Sequence, residues 1–221
     1  MPLPRLLLAA LCLGATCAYA QTRCCAPPRT PEEALFRSIE NSDLAEFSRL
    51  LDSGVSVSAR NPQGETLLYV AAEKGEIEMA RALIARGADA KALTPNGETV
   101  LHAASMIESA ALVSDLIRAG AYVNAANKDG ETPLQWAALT GTFLAVKALA
   151  DAGADLNVQD ARTGNTPLHA AVSHDDIVLI HYLLSKNART DIRNNDGVTA
   201  LELAQSRGRG SVKLFEDAQR P

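Results

Sequence analysis

Aromatic side chains are scarce in this 221-residue chain: four Phe, four Tyr and a single Trp make up 4% of it. A core cannot rest on large rings here and must be built from Ala, Leu, Ile and Val packed closely, which suits stacked helices. An excess of positive charge is also missing. Lys and Arg number 21 against 26 Asp and Glu, a formal net charge of -5, so the clustered cations that phosphate recognition needs are not supplied and nucleic acid is excluded as a partner. No apolar run reaches the roughly 20 residues that span a bilayer. There is no Gly-x-Ser-x-Gly, no His-Glu-x-x-His and no phosphate loop ending in Gly-Lys-Ser/Thr, the local patterns that nucleophilic, zinc and phosphate chemistry use. His169, His174 and His181 lie at offsets of five and seven, which do not put all three on one helix face. The sequence implies no metal, no cofactor and no enzyme.

Cysteine is sparse as well, and its placement matters more than its number. Residues 1–20 carry Arg5, an apolar run from Leu6 to Leu13, and the small-x-small pattern Ala18-Tyr19-Ala20, the order of features in an export signal cleaved after Ala20. The segment Gly14-Ala15-Thr16-Cys17 lacks the leucine of a lipoprotein signal. Cleavage would remove Cys12, Cys17 and Arg5, leaving 20 basic against 26 acidic side chains and no membrane insertion. Cys24 and Cys25 remain, adjacent to each other in a Pro-containing leader at 21–31. Neighbouring alpha carbons lie about 3.8 Å apart, below the usual span of roughly 4.4 to 6.8 Å across a disulfide. In an oxidising compartment the pair could link to another chain as a disulfide-bonded dimer, persist as a strained redox pair, bind a soft metal such as Cu(I), or be incidental.

What the chain has in abundance is self-similarity, the first thing to seek in a helix-suited composition. Gly64-Glu65-Thr66-Leu67-Leu68 recurs as Gly97-Glu98-Thr99-Val100-Leu101, Gly130-Glu131-Thr132-Pro133-Leu134, Gly164-Asn165-Thr166-Pro167-Leu168 and Gly197-Val198-Thr199-Ala200-Leu201, with glycine spacings of 33, 33, 34 and 33. A second register, Arg86-Gly87-Ala88-Asp89, repeats near residues 119, 152 and 186. Together the two registers resemble the ankyrin repeat family, whose unit is a turn and two antiparallel helices with a Thr-Pro-Leu-His signature. His102 and His169 occupy the signature histidine, whereas Tyr69 and Gln135 replace it. The resemblance implies an all-α solenoid of about six stacked helix-turn-helix units joined by β-turn or hairpin loops. It covers 32–218: an N-terminal cap at 32–63, repeats at 64–96, 97–129, 130–163 and 164–196, and a C-terminal cap at 197–218.

Local chemistry agrees with that architecture. Thr132 and Thr166 precede Pro133 and Pro167, so a hydroxyl caps free N–H groups and proline fills a first-turn position that needs no donor. The pairs Ala71-Ala72, Ala103-Ala104, Ala137-Ala138 and Ala170-Ala171 let neighbouring repeats approach. Second helices carry apolar stripes at helical spacing, such as Ile77, Ala80, Leu83 and Ile84, or Ile177, Ile180, Leu183 and Leu184, expected to stack on the next repeat. Asn187 stands where other repeats place a capping glycine, and the extra residue of the 34-residue interval falls in the turn Asp160-Ala161-Arg162-Thr163. Trp136 and Tyr69 fall at core or near-core positions, where packing is the ordinary role.

Function is argued from sites. The resemblance implies protein binding through the turn tips and the concave, first-helix surface. At the tips this selects Glu65, Glu98, Lys128, Asp129, Glu131, Arg162 and Asn165; at the first-helix ends it selects Glu73, Lys74, Met106, Ile107, Leu139, Thr140 and His174. Met106, Ile107 and Leu139 are apolar where sister repeats are polar. They form either an exposed strip that marks an interaction site, or part of a distorted turn that buries Met106 or Ile107, because Glu108 stands where Gly75 and Gly141 stand elsewhere. Glu65, Glu98 and Glu131 make an acidic row suited to a basic partner, or three solvated carboxylates. The expectation is an exported, bacterial-type, non-catalytic scaffold, periplasmic or secreted, whose partner is another protein with a basic or apolar patch. The alternatives are a secreted host-directed factor and a redox or metal accessory protein acting through Cys24 and Cys25.

Overall fold

The computed structural model describes residues 30–207 and 211–218. The segment 1–20 expected to be an export signal, Cys24 and Cys25, and Gly208-Arg209-Gly210 lie outside the described residues.

Twelve helices are found among the described residues, in six antiparallel pairs: α1 (Pro31–Glu40) with α2 (Leu44–Asp52), α3 (Leu67–Lys74) with α4 (Ile77–Ala85), α5 (Val100–Ser105) with α6 (Ala110–Arg118), α7 (Pro133–Thr140) with α8 (Phe143–Asp151), α9 (Pro167–Ser173) with α10 (Ile177–Ser185), and α11 (Ala200–Ser206) with α12 (Val212–Ala218). The odd-numbered helices form one continuous row, each packed on the next, and the whole is an all-α repeat solenoid. No strand occurs among the described residues; two isolated antiparallel bridges, Arg60 with Thr66 and Arg193 with Thr199, close the first and last loops.

Each odd helix after α1 starts at the threonine of the repeated motif. Thr132 and Thr166 accept from the N–H of Gln135 and His169, with Pro133 and Pro167 in the first turn. Helix α1 begins with Pro31 behind the capping side chain of Thr30, slightly before the boundary at 32 expected from the repeat pattern. Asn187 has φ 62 and closes α10 as glycine does in sister repeats. In the longer interval, the Gly164 N–H reaches back to Asp160 O, four residues away, whereas Gly97 and Gly130 reach back three, to Thr94 and Asn127. The inserted residue is thus absorbed in the turn.

The core is made of the expected small and aliphatic residues: Ala71, Ala72, Ala103, Ala104, Ala137, Ala138 and Ala171 are sealed between repeats. Phe47 and Phe215, the two largest fully buried side chains, lie in the first and last pairs, where a repeat has only one neighbour and must close its own core. Two expectations need correction. Ala170 is half-buried because it faces an open cleft, and Ile177 is 42% exposed at the free N-terminal end of α10 rather than stacked. The back of the solenoid is stitched by ion pairs between even helices, Arg81 to Asp115 at 2.7 Å and Lys186 to Asp151 at 2.8 Å. Lys186 and then Lys147 hold the Asp151 carboxyl down to about 2. Lys186–Asp151, exposed on both sides, adds little stability, and Arg81–Asp115 has its carboxylate largely covered.

The third pair departs from the rest. Gly75 and Gly141 end their helices at φ 72 and 73, and Ser42 and Asp175 take the same left-handed conformation at the matching positions. That geometry carries the N–H of Glu76, Thr142 and Asp176 back to Ala71, Ala137 and Ala171 at 2.9 to 3.0 Å. A glutamate there is disfavoured by its Cβ, and Glu108 does not adopt positive φ. Helix α5 therefore stops after six residues at Ser105. Contacts from the next repeat compensate: Thr142 Oγ1 donates to Ser105 O at 2.5 Å, and Glu108 Oε1 accepts from the Leu144 N–H at 2.9 Å in the first turn of α8.

Candidate binding surface

In the four repeats that have one following them, the residue three after the threonine acts as a clip to the next. His102 Nδ1 accepts from the Thr99 N–H at 3.0 Å, which leaves Nε2 as the donor to Glu131 O in the next repeat, also at 3.0 Å. His169 repeats this with Thr166 and Val198. Gln135 does the same with an amide, Oε1 accepting from the Thr132 N–H and Nε2 donating to Val158 O. Burial lowers the pKa of both imidazoles, outweighing the backbone bonds to Glu131 and Val198; both are neutral. Tyr69 works differently: its hydroxyl donates to Glu98 Oε2 at 3.0 Å, and burial first, then the Glu98 charge, raises its pKa.

The three glutamates of the row are half-buried, each held by neighbouring donors. Glu65 accepts from Asn61 Nδ2, Glu98 from Tyr69 Oη and Thr94 Oγ1, and Glu131 Oε2 from Trp136 Nε1 at 2.8 Å and Asn127 Nδ2 at 3.1 Å. The row is built into the loops rather than loosely solvated.

Backbone hydrogen bonds join some neighbouring tips and not others. The residue two before the tip glycine donates to the preceding tip in two cases, Lys128 N to Asn96 O and Asn195 N to Thr163 O, both 2.9 Å. At the other two seams the matching donor is lost. Pro95 has no N–H, and the Arg162 N–H is turned inward to its own Asp160 Oδ1 at 3.0 Å by the longer turn. A cleft opens at each of these seams. Counting space open to solvent, the smaller, about 550 Å³, is lined by Gln63, Glu65, Thr94, Pro95, Asn96 and Glu98. The larger on the same count, about 640 Å³, lies between α7 and α9.

Glu131, Leu139, Arg162, Asn165 and His174, five residues selected from sequence, line the larger cleft together. Its floor is Trp136, Leu139, Pro167 and Ala170, and its tip-side wall includes Asp160. That carboxylate is fully engaged by the N–H groups of Arg162, Thr163 and Asn165 and the Thr163 hydroxyl. Leu139 is 44% exposed. Glu65 and Glu98 line the smaller cleft. Glu73 and Lys74 are exposed at the end of α3, Lys128 and Asp129 on a tip, and Thr140 at the end of α7. Met106 and Ile107 are half-buried beyond the shortened α5; a Cβ at Gly75 would lie 3.5 Å from Ile107 Cγ2, so Ile107 covers the preceding repeat's turn. The distorted turn thus takes up part of the apolar strip, and Leu139 keeps its exposure.

Turn-tip and helix-end positions do not include Trp136, which lines the cleft all the same. Its position in sister repeats holds Val70, Ala103 and Ala170, and a large ring beside Ala170 leaves the hollow that forms the cleft. An indole in an Ala-sized register is a signal visible in the sequence once the repeats are aligned. Its ring meets His102 edge-on, centroids 5.2 Å apart. Among the described residues no group of three His, Cys, Asp or Glu is placed to hold a metal ion, and no helix is long and apolar enough to cross a membrane.

Comparison with known proteins accords with this geometry. A family model described as ankyrin repeats (3 copies) matches residues 86–160 and 146–218, and one described as ankyrin repeats (many copies) matches 50–104. A search of curated proteins finds no match.

Proposed function

Because this chain belongs to the ankyrin repeat family, whose repeats generally mediate protein–protein interaction, we propose that it is an exported, non-catalytic scaffold binding a partner protein across its concave face. The cleft between α7 and α9 carries the reading. It gathers an exposed leucine, a half-buried indole and polar groups from two tips and two helices, the mix of apolar floor and few oriented polar groups that binding sites use. Glu131, Trp136, Asp160 and Asn165 inside it are already positioned by hydrogen bonds, so ordering these groups costs little on binding. Export rests on the order of charge, apolar run and small residues in 1–20, and places the partner in the envelope or outside the cell.

The test is affinity capture from envelope and secreted fractions with the full chain and with Leu139→Asp. The reading requires a co-purifying protein that the wild type retains and the variant loses at unchanged thermal stability. Equal capture by both, or a chain confined to the cytosol, contradicts it.

A further inference from the structure

The larger cleft has chemistry specific enough to say what enters it. Trp136 is the chain's one tryptophan, half-buried, with its indole N–H held by Glu131 Oε2 at 2.8 Å. The second oxygen of that carboxylate, Oε1, accepts from no group among the described residues. An electron-rich ring face and a carboxylate oxygen with no protein donor, side by side in the cleft, attract a cation by two separate effects. The ring's neighbour His102 is neutral and brings no opposing charge. Glu98 and Glu65 continue the same sign along the groove, one repeat and two repeats away. Beside the ring, Leu139, Pro167 and Ala170 offer an apolar shelf.

Resting on the concave-surface reading, we propose that the cleft between α7 and α9 receives a lysine or arginine side chain from a peptide segment of the partner, set over Trp136 against Glu131, with an adjoining aliphatic side chain on Leu139 and Pro167. Arg162 is the cationic side chain that lines the same cleft, exposed at the tip. Its charge disfavours a segment of uniform positive charge and so selects a single basic residue with apolar neighbours.

The experiment is selection of random linear heptapeptides displayed on phage against the full chain, followed by titration of the amidated winners. Trp136 emission provides a reporter located in the cleft. The proposal expects winners with one Lys or Arg beside an aliphatic residue, a shift of Trp136 emission on binding, and a loss of about five- to tenfold in affinity for Glu131→Gln. That variant can still accept from the indole N–H and should melt as the wild type does. Trp136→Phe, followed by anisotropy of a labelled peptide, should weaken binding less than Trp136→Leu, which removes the ring face. Acidic or wholly apolar winners that still shift Trp136 emission would overturn the basic side chain and leave the concave-surface reading standing. Peptides silent in Trp136 emission and indifferent to Leu139→Asp would overturn both, as would selection that enriches nothing.

Discussion

Replacing His102 by leucine and by glutamine separates its role as an inter-repeat clip from its role as packing. The imidazole is fully buried, accepts from the Thr99 N–H and donates to Glu131 O. Leucine fills the space and offers neither function. The Thr99 N–H then has no partner, at about 1 to 3 kcal/mol for a buried orphan donor. Glu131 O keeps its bond from the Asn127 N–H, so only about 1 kcal/mol more goes with the lost donor. The edge contact with Trp136 adds about 0.5 to 1 kcal/mol, and His102→Leu should cost about 2.5 to 5 kcal/mol in all. Glutamine is predicted to cost about 1 kcal/mol or less, because Gln135 already performs both bonds one repeat later. Urea unfolding followed by far-UV circular dichroism measures the difference, and pH supplies a second reading. Burial sets the folded pKa of His102 below its unfolded value near 6.5, so the unfolded chain takes up the proton first as pH falls. The neutral clip's contribution is complete above about pH 6.5 and declines below it towards the folded pKa. His102→Gln should flatten that decline and leave only the part due to His169. Equal destabilisation by the two substitutions, or an unchanged pH profile in His102→Gln, would refute the reasoning.

Three further perturbations follow from the same geometry. Gly164→Ala and Gly197→Ala both force alanine to positive φ, near 70 and 74, at about 1 to 2 kcal/mol; only Gly164 also drives a Cβ to 2.8 Å from the Asn195 backbone nitrogen, so denaturant midpoints should place Gly164→Ala well below Gly197→Ala. Glu108→Ala removes the side chain that caps the Leu144 N–H, in a helix whose own Thr142 gives no side-chain cap, and calorimetry should find a loss of about 1 kcal/mol. Ala104→Leu places a large side chain in a sealed contact between repeats, and should lower stability by about 1 to 3 kcal/mol, whereas Leu139→Asp, at an exposed position, should stay within about 0.5 kcal/mol.

Most of the fold is legible in the sequence because each repeat is built locally. Thr132 and Pro133 start a helix wherever they occur, and the residue added near Asp160 falls in a turn that can absorb it. The shortened α5 follows from Glu108 at a position whose sister residues adopt positive φ. What could not be read depends on pairs distant in sequence. Glu108 reaches Leu144 across 36 residues, and no local rule selects that partner. The clefts depend on which tips fail to bond. Pro95 announces one failure by its chemistry, but the inward turn of Arg162 towards Asp160 depends on the path of the loop. Trp136 falls at a near-core register position by sequence and is half-buried, yet its bearing on the site comes from Ala170 opposite. Ile177 fits the stripe by spacing and is exposed because it lies at the free end of its helix.

The central claim is that the concave cleft contacts a partner protein, and site-specific photocrosslinking in the cell of origin tests it most directly. Benzoylphenylalanine is placed at Leu139, in the cleft, or at Val178, 62% exposed at the start of α10, in separate strains. The account predicts one discrete adduct from position 139, diminished by Glu131→Gln in the same chain, and none of that mass from position 178. The same adduct from both positions, or from position 178 alone, would contradict it.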